Sequence, residues 1–114
     1  MKVFVIEDNP VYNDYVCNLL KKDSFDTMSA YNLATAKKLL VKSEVDDIVV
    51  ADLRLPDGES IELLRWMRAN DKQQVFIVMT NYGEVHTAVE SMKLGSKDYI
   101  CLLYTSPSPR DGLL

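Results

Sequence analysis

Short, almost wholly apolar runs alternate along this chain with longer segments whose apolar residues recur every three or four positions. Lys2 to Ile6 is such a run and stops abruptly at Glu7-Asp8. It predicts a strand buried on both faces, as parallel sheets require. Asn9 offers a helix cap, and Pro10 suits a first helical turn. Val11, Tyr12, Tyr15, Val16, Leu19 and Leu20 follow at helical spacing and predict one apolar stripe. Phe25 to Tyr31 reads as a weaker, partly alternating strand near a sheet edge. Leu33, Ala36, Leu39 and Leu40 mark a second helix, with Lys37, Lys38 and Lys42 on its wet side. Asp47 to Asp52 is a second buried run ending in acid, and Pro56-Asp57-Gly58 is a turn signal. Ile61, Leu64 and Met67 mark a third helix, and Val75 to Met79 a fourth strand ending at Thr80. Val85, Ala88, Val89 and Met92 mark a fourth helix, with Gly95 suited to cap it. Lys97 to Ile100 opens a fifth strand.

Strand and helix alternating in this way predict an α/β fold, a parallel sheet with helices on both faces joined by right-handed crossovers. Sites in open sheets of this kind lie at the carboxyl ends of the strands. Those ends carry Glu7-Asp8, Asp52 and Thr80. Beyond Cys101 the pattern stops. Residues 101–114 have no helical period, and Ser-Pro-Ser-Pro cannot lie inside a helix because each proline removes a donor and clashes with the preceding turn. The division expected is one domain over residues 1–100 and an irregular tail over 101–114.

Composition narrows the function. The 114 residues are 47% apolar and 26% charged, an ordinary globular balance that excludes a wholly disordered chain. The net charge of −4 disfavours nonspecific nucleic-acid binding. No run approaches the ~20 apolar residues of a membrane span, and the four-residue run Val3 to Ile6 is too short for a signal-peptide core. A cytoplasmic location is expected. Two separated cysteines and one histidine cannot complete a zinc set, and nucleophilic catalysis would rest on His86 alone, which reads better as a partly exposed helical residue.

The acids are more informative. Carboxylates gathered at strand ends repel one another, and a divalent cation with hard oxygen ligands, or a nearby Lys or Arg, relieves this. One acid at a strand end would be an ordinary solvated loop residue. Three acids at the ends of two apolar runs, Glu7-Asp8 and Asp52, favour a functional site over that reading.

The same positions carry a family pattern. V-F-V-I-E-D-N, I-V-V-A-D-L-R-L-P-D-G, F-I-V-M-T-N-Y-G and G-S-K-D-Y-I, in this order, resemble the receiver domain of bacterial two-component response regulators. The match runs from about Lys2 to Ile100, and its style is most similar to the N-terminal receivers of enhancer-binding transcription activators. The resemblance implies a flavodoxin-like sheet of strand order 2-1-3-4-5. It implies that Asp52 is the phosphoacceptor, attacking a phosphohistidine on a sensor histidine kinase or phosphotransfer protein to form an acyl phosphate. It implies Mg²⁺ held by Asp8, Glu7, Asp52 and the backbone carbonyl of Arg54, with Thr80 and Tyr99 as the switch pair. By itself Thr80 is an ordinary β-branched strand residue and Tyr99 an ordinary half-buried aromatic; beside the acids the switch reading is preferred. The chain would then be a signalling phosphoacceptor rather than an enzyme. It would signal through the surface of the fourth helix and fifth strand, which would also serve a receiver homodimer, reaching DNA only through an output domain and touching no membrane.

Two departures qualify the pattern. Family members carry a Lys a few residues after Asp98-Tyr99-Ile100, where this chain has Leu102-Leu103, and they continue into a last helix. The tail therefore reads as non-native sequence joined to a truncated receiver, and the chain as marginally stable, since each exposed aliphatic side chain forgoes ~1.5–3 kcal/mol of burial. The rival is a degenerate receiver that acts as an interaction module without phosphorylation. The resemblance places Arg54 and Tyr82 at positions that tune phosphoryl lifetime and implies slow self-dephosphorylation, while Asn81, where the family commonly has Ala or Gly, narrows the path to Asp52. Other Asp-nucleophile phosphohydrolases want a second Asp where Arg54 stands, and a flavin site would be repelled by Glu7-Asp8.

Overall fold

A computed structural model describes residues 1–79, Lys93 and the strand segment 98–100. Strand β1 (Lys2–Ile6) leads into α1 (Pro10–Lys22), β2 (Asp26–Ala30) and α2 (Leu33–Leu40). Then come β3 (Ile48–Asp52), a two-residue pair β4 (Arg54–Leu55) and β5 (Gly58–Glu59), α3 (Ser60–Ala69), β6 (Val75–Met79) and β7 (Asp98–Ile100). The main sheet has five strands in the order β2-β1-β3-β6-β7, every neighbouring pair parallel. Leaving aside the antiparallel β4-β5 pair, this is the expected order 2-1-3-4-5, with β2 at an edge. The fourth helix, His86 and Gly95 lie outside the described residues, as do Thr80, Asn81 and Tyr82, and the tail from Cys101 onward.

The period-two geometry of a strand divides the core. Phe4 and Ile6 of β1, Val49 and Ala51 of β3, and Phe76 and Val78 of β6 pack with Leu33, Ala36 and Leu40 of α2 and Leu63, Leu64 and Met67 of α3. Val3 and Val5, one residue out of phase, pack on the opposite face with Tyr12, Val16 and Cys17 of α1 and with Met79. The uninterrupted apolar run of β1 therefore serves both layers.

Local chemistry sets the helix starts, at α1 as expected. The Asn9 side chain accepts from the Val11 and Tyr12 N–H groups, and Pro10 begins α1. Glu59 and Glu62 form a reciprocal capping box at the start of α3. The apolar stripe expected on α1 is corrected. Tyr12 and Val16 are buried and Leu20 is half-buried, but Val11, Tyr15 and Leu19 are 61%, 52% and 44% exposed. The inward face is completed instead by Asn13 and Cys17. A stripe six residues wide covers more of a helix circumference than the sheet can bury, so its outer half faces out.

Candidate functional site

The site forms where β1 and β3, neighbours in the sheet, end together. Val3 to Ile6 pair with Ile48 to Ala51, which brings the residues after Ile6 level with Asp52. The ligand oxygens of Glu7, Asp8 and Asp52 all lie within 4.8 Å of one another. Glu7 is only 3% exposed, Asp52 is half-buried and Asp8 is exposed. The Asn9 N–H donates to Glu7 Oε2 at 2.8 Å. The N–H groups of Leu53 and Arg54 hydrogen-bond the Asp52 carboxylate.

Placing three carboxylates in this space has an electrostatic consequence. Burial, then the nearby charge of Asp52 and hydrogen bonding with Asp8 and Asp52, push the Glu7 carboxyl from 4.5 up to about 8, against the lowering pull of the Asn9 N–H. Burial likewise raises Asp52, while hydrogen bonds from Glu7 and from the Leu53 and Arg54 N–H groups oppose it. Burial and the neighbouring acids therefore favour the protonated form of Glu7, and a bound cation would compete with that proton. Among the described residues the cluster offers carboxylate oxygens, and one of the three acids, Asp8, is exposed. That set suits a hard ion such as Mg²⁺, which takes one or two carboxylates and keeps several waters. Glu7, Asp8 and Asp52 are the described side chains that would hold it.

Of the other expected residues, Arg54 is exposed and opens β4. Tyr99 occupies the middle of β7, its backbone in register with Val78; its side chain, Thr80 and Leu102 lie outside what is described. Two nearby residues carry more than sequence reasoning assigned them. Asp57 accepts from the Leu33 and Ala34 N–H groups at 2.8 and 3.1 Å and so caps α2 from the loop after β3. Those bonds, the Leu33 one first, hold its carboxyl below the usual range. A partner 24 residues away leaves no local signal. Asn13 is completely buried beneath the end of β1; its signal is a polar residue between Tyr12 and Val16 on the inward face.

A doubly wound parallel sheet with an acid cluster at the carboxyl ends of its central strands defines a three-layer α/β domain. Residues 3–101 match the response regulator receiver domain, and the chain belongs to that family. Receiver domains are signalling phosphoacceptors of two-component systems. Response regulator protein PilR of Pseudomonas aeruginosa is 30% identical over 99 residues, which are 87% of this chain and 22% of that protein. Transcriptional regulatory protein FixJ of Bradyrhizobium diazoefficiens is 33% identical over 98 residues, 86% of this chain and 47% of that one. The chain thus spans about a fifth of the first relative and about half of the second. The solved receiver domain of Francisella response regulator 1452 superposes with a TM-score of 0.81 at 23% identity, covering 91% of this chain and 85% of that one, which shows the shared fold. Among the described residues no helix is long and apolar enough to cross a membrane.

Proposed function

We propose that this receiver accepts a phosphoryl group on Asp52 from the phosphohistidine of a sensor histidine kinase or phosphotransfer protein, with Mg²⁺ bound at Glu7, Asp8 and Asp52 and the Arg54 carbonyl as a further oxygen. The observation that carries this reading is the convergence of three carboxylate groups within 4.8 Å at the end of the central strand β3. Ionised Asp52 attacks phosphorus through one carboxylate oxygen while the partner's P–N bond breaks. The electron pair of that bond goes to the imidazole, which takes a proton from solvent, and an acyl phosphate remains. Such transfer needs positioning and charge stabilisation more than covalent assistance. The Leu53 and Arg54 N–H groups hold the Asp52 carboxylate in place. When bound, Mg²⁺ supplies the positive charge that offsets the carboxylates and the phosphoryl oxygens. The product places a group of about −1.5 to −2 charge at the strand end. Thr80 and Tyr99 are the residues proposed to relay it to the surface of the fourth helix and β7, with transcription, through an output domain, as the regulated process. The receiver domain is taken as residues 1–100, with 101–114 a separate tail.

Incubation with acetyl phosphate and Mg²⁺, followed by intact mass, tests this. One phosphate adduct is expected, absent in Asp52→Asn and absent with EDTA. Leu102 at the position of the family Lys favours a second reading, a receiver that works as an interaction module without phosphorylation. A wild-type chain that binds Mg²⁺ but takes no phosphate supports that second reading over the first.

A further inference from the structure

Asn13 has no exposed surface. Its Nδ2 group donates to the carbonyls of Val5, Glu7 and Ala30 at 3.3, 3.1 and 3.4 Å. Its Oδ1 accepts from Ser29 Oγ at 2.6 Å and from Cys17 Sγ at 3.4 Å. The amide thus ties together the ends of β1 and β2 from a position on α1. The Glu7 N–H also donates to the Ala30 carbonyl at 3.0 Å, so residue 7 is held at both its N–H and its C=O just where the chain leaves the sheet. The bond from Asn13 falls on the peptide that joins Glu7 to Asp8. An apolar residue would fill this inward position of α1 without any need for partners, whereas a buried amide is tolerated only when its polar atoms are bonded. Here both ends of the amide are bonded, and the bonds converge on the backbone that carries two of the three carboxylates.

We propose that Asn13 is a positioning residue for the acid cluster: its amide sets where Glu7 and Asp8 stand, so that removing it weakens divalent-cation binding although every ligand remains. This rests on reading Glu7, Asp8 and Asp52 as the cation site. Outer partners of metal ligands act in this way, by restricting the ligands to a productive arrangement before the ion arrives. Asn13 would touch neither the ion nor the phosphoryl group. Ser29 acts one step further out, by fixing the orientation of the amide through the 2.6 Å bond.

A purely structural role would look different. Gln74 supplies the comparison: it is 3% exposed and also links elements, donating from Nε2 to Ser43 Oγ at 2.8 Å and to the Glu44 carbonyl at 3.0 Å. It stands just before β6, at the end of the sheet opposite the acids. The test is Mn²⁺ binding to the full chain, followed by the electron paramagnetic resonance signal of the free ion and repeated with Mg²⁺ in competition. Asn13→Ala should weaken binding at least about 10-fold, and Ser29→Ala should weaken it less. Gln74→Ala should melt earlier yet bind as wild type does. Wild-type affinity in Asn13→Ala, or an equal loss in Gln74→Ala, overturns the proposal. If Asn13→Ala does not fold, Ser29→Ala decides the matter, and unchanged affinity there overturns it. Wild-type protein with no saturable binding overturns the cation-site reading and this inference together, whereas wild-type binding with indifferent variants overturns this inference alone.

Discussion

Among the described residues, the Glu7 carboxyl is the one on which burial and charge act most strongly. Folding moves it out of water and beside Asp52 and Asp8, and its pKa rises from 4.5 to about 8. The folded protein therefore holds that proton more tightly than the unfolded chain does. Its contribution to stability is fully present below pH 4.5 and is lost as pH rises through about 8. In EDTA the melting temperature should fall between pH 6 and pH 8.5, and Glu7→Gln should flatten that slope, as calorimetry can measure. Because a cation competes with the same proton, the Mg²⁺-induced rise in melting temperature should be larger at pH 8 than at pH 6. Asp57 is the opposite case, a carboxylate stabilised as the anion by the Leu33 and Ala34 N–H groups. In Asp57→Ala those two amides lose their partners, and hydrogen exchange should show Leu33 and Ala34 losing protection while β1 and β3 keep theirs.

At the scale of elements, the connection after β3 is the informative one. Asp52 ends the strand, β4 and β5 pair Arg54 with Glu59 and Leu55 with Gly58, and α3 begins at Ser60. Gly58 has φ +144°, and a Cβ there would lie 2.9 Å from Leu33 Cδ1. The backbone angle is what requires glycine, and a Cβ would in addition make the Leu33 side chain give way. The connection is thus pressed onto the first turn of α2, which Asp57 caps from the same loop. Gly58→Ala should cost about 1–3 kcal/mol, read as a lower urea midpoint at unchanged slope. Helix α1 shows how far a pattern reaches. Its six apolar positions share one broad face in the sequence, but the sheet covers only the side holding Tyr12 and Val16, leaving Val11, Tyr15 and Leu19 outside.

For the molecule as a whole, the sheet is a partition between two cores. The larger lies against α2 and α3 with Phe76 fully buried in it, and the smaller lies under α1. Phe76→Ala should cost about 3–5 kcal/mol, a large share of the ~5–15 kcal/mol typical of a domain, and should show as a sharp fall in the midpoint of thermal unfolding. The sequence by itself determined the order of elements, because period two and period 3.6 are local properties and the caps Asn9-Pro10 stand next to what they cap. It also determined that Glu7, Asp8 and Asp52 would share an edge, because buried parallel strands with right-handed crossovers leave one arrangement for their carboxyl ends. Only the tertiary structure decided which half of α1 is covered, which backbone Asn13 holds and which helix Asp57 caps. Those depend on residues that are far apart in the chain and meet only when the sheet closes, so no local periodicity records them.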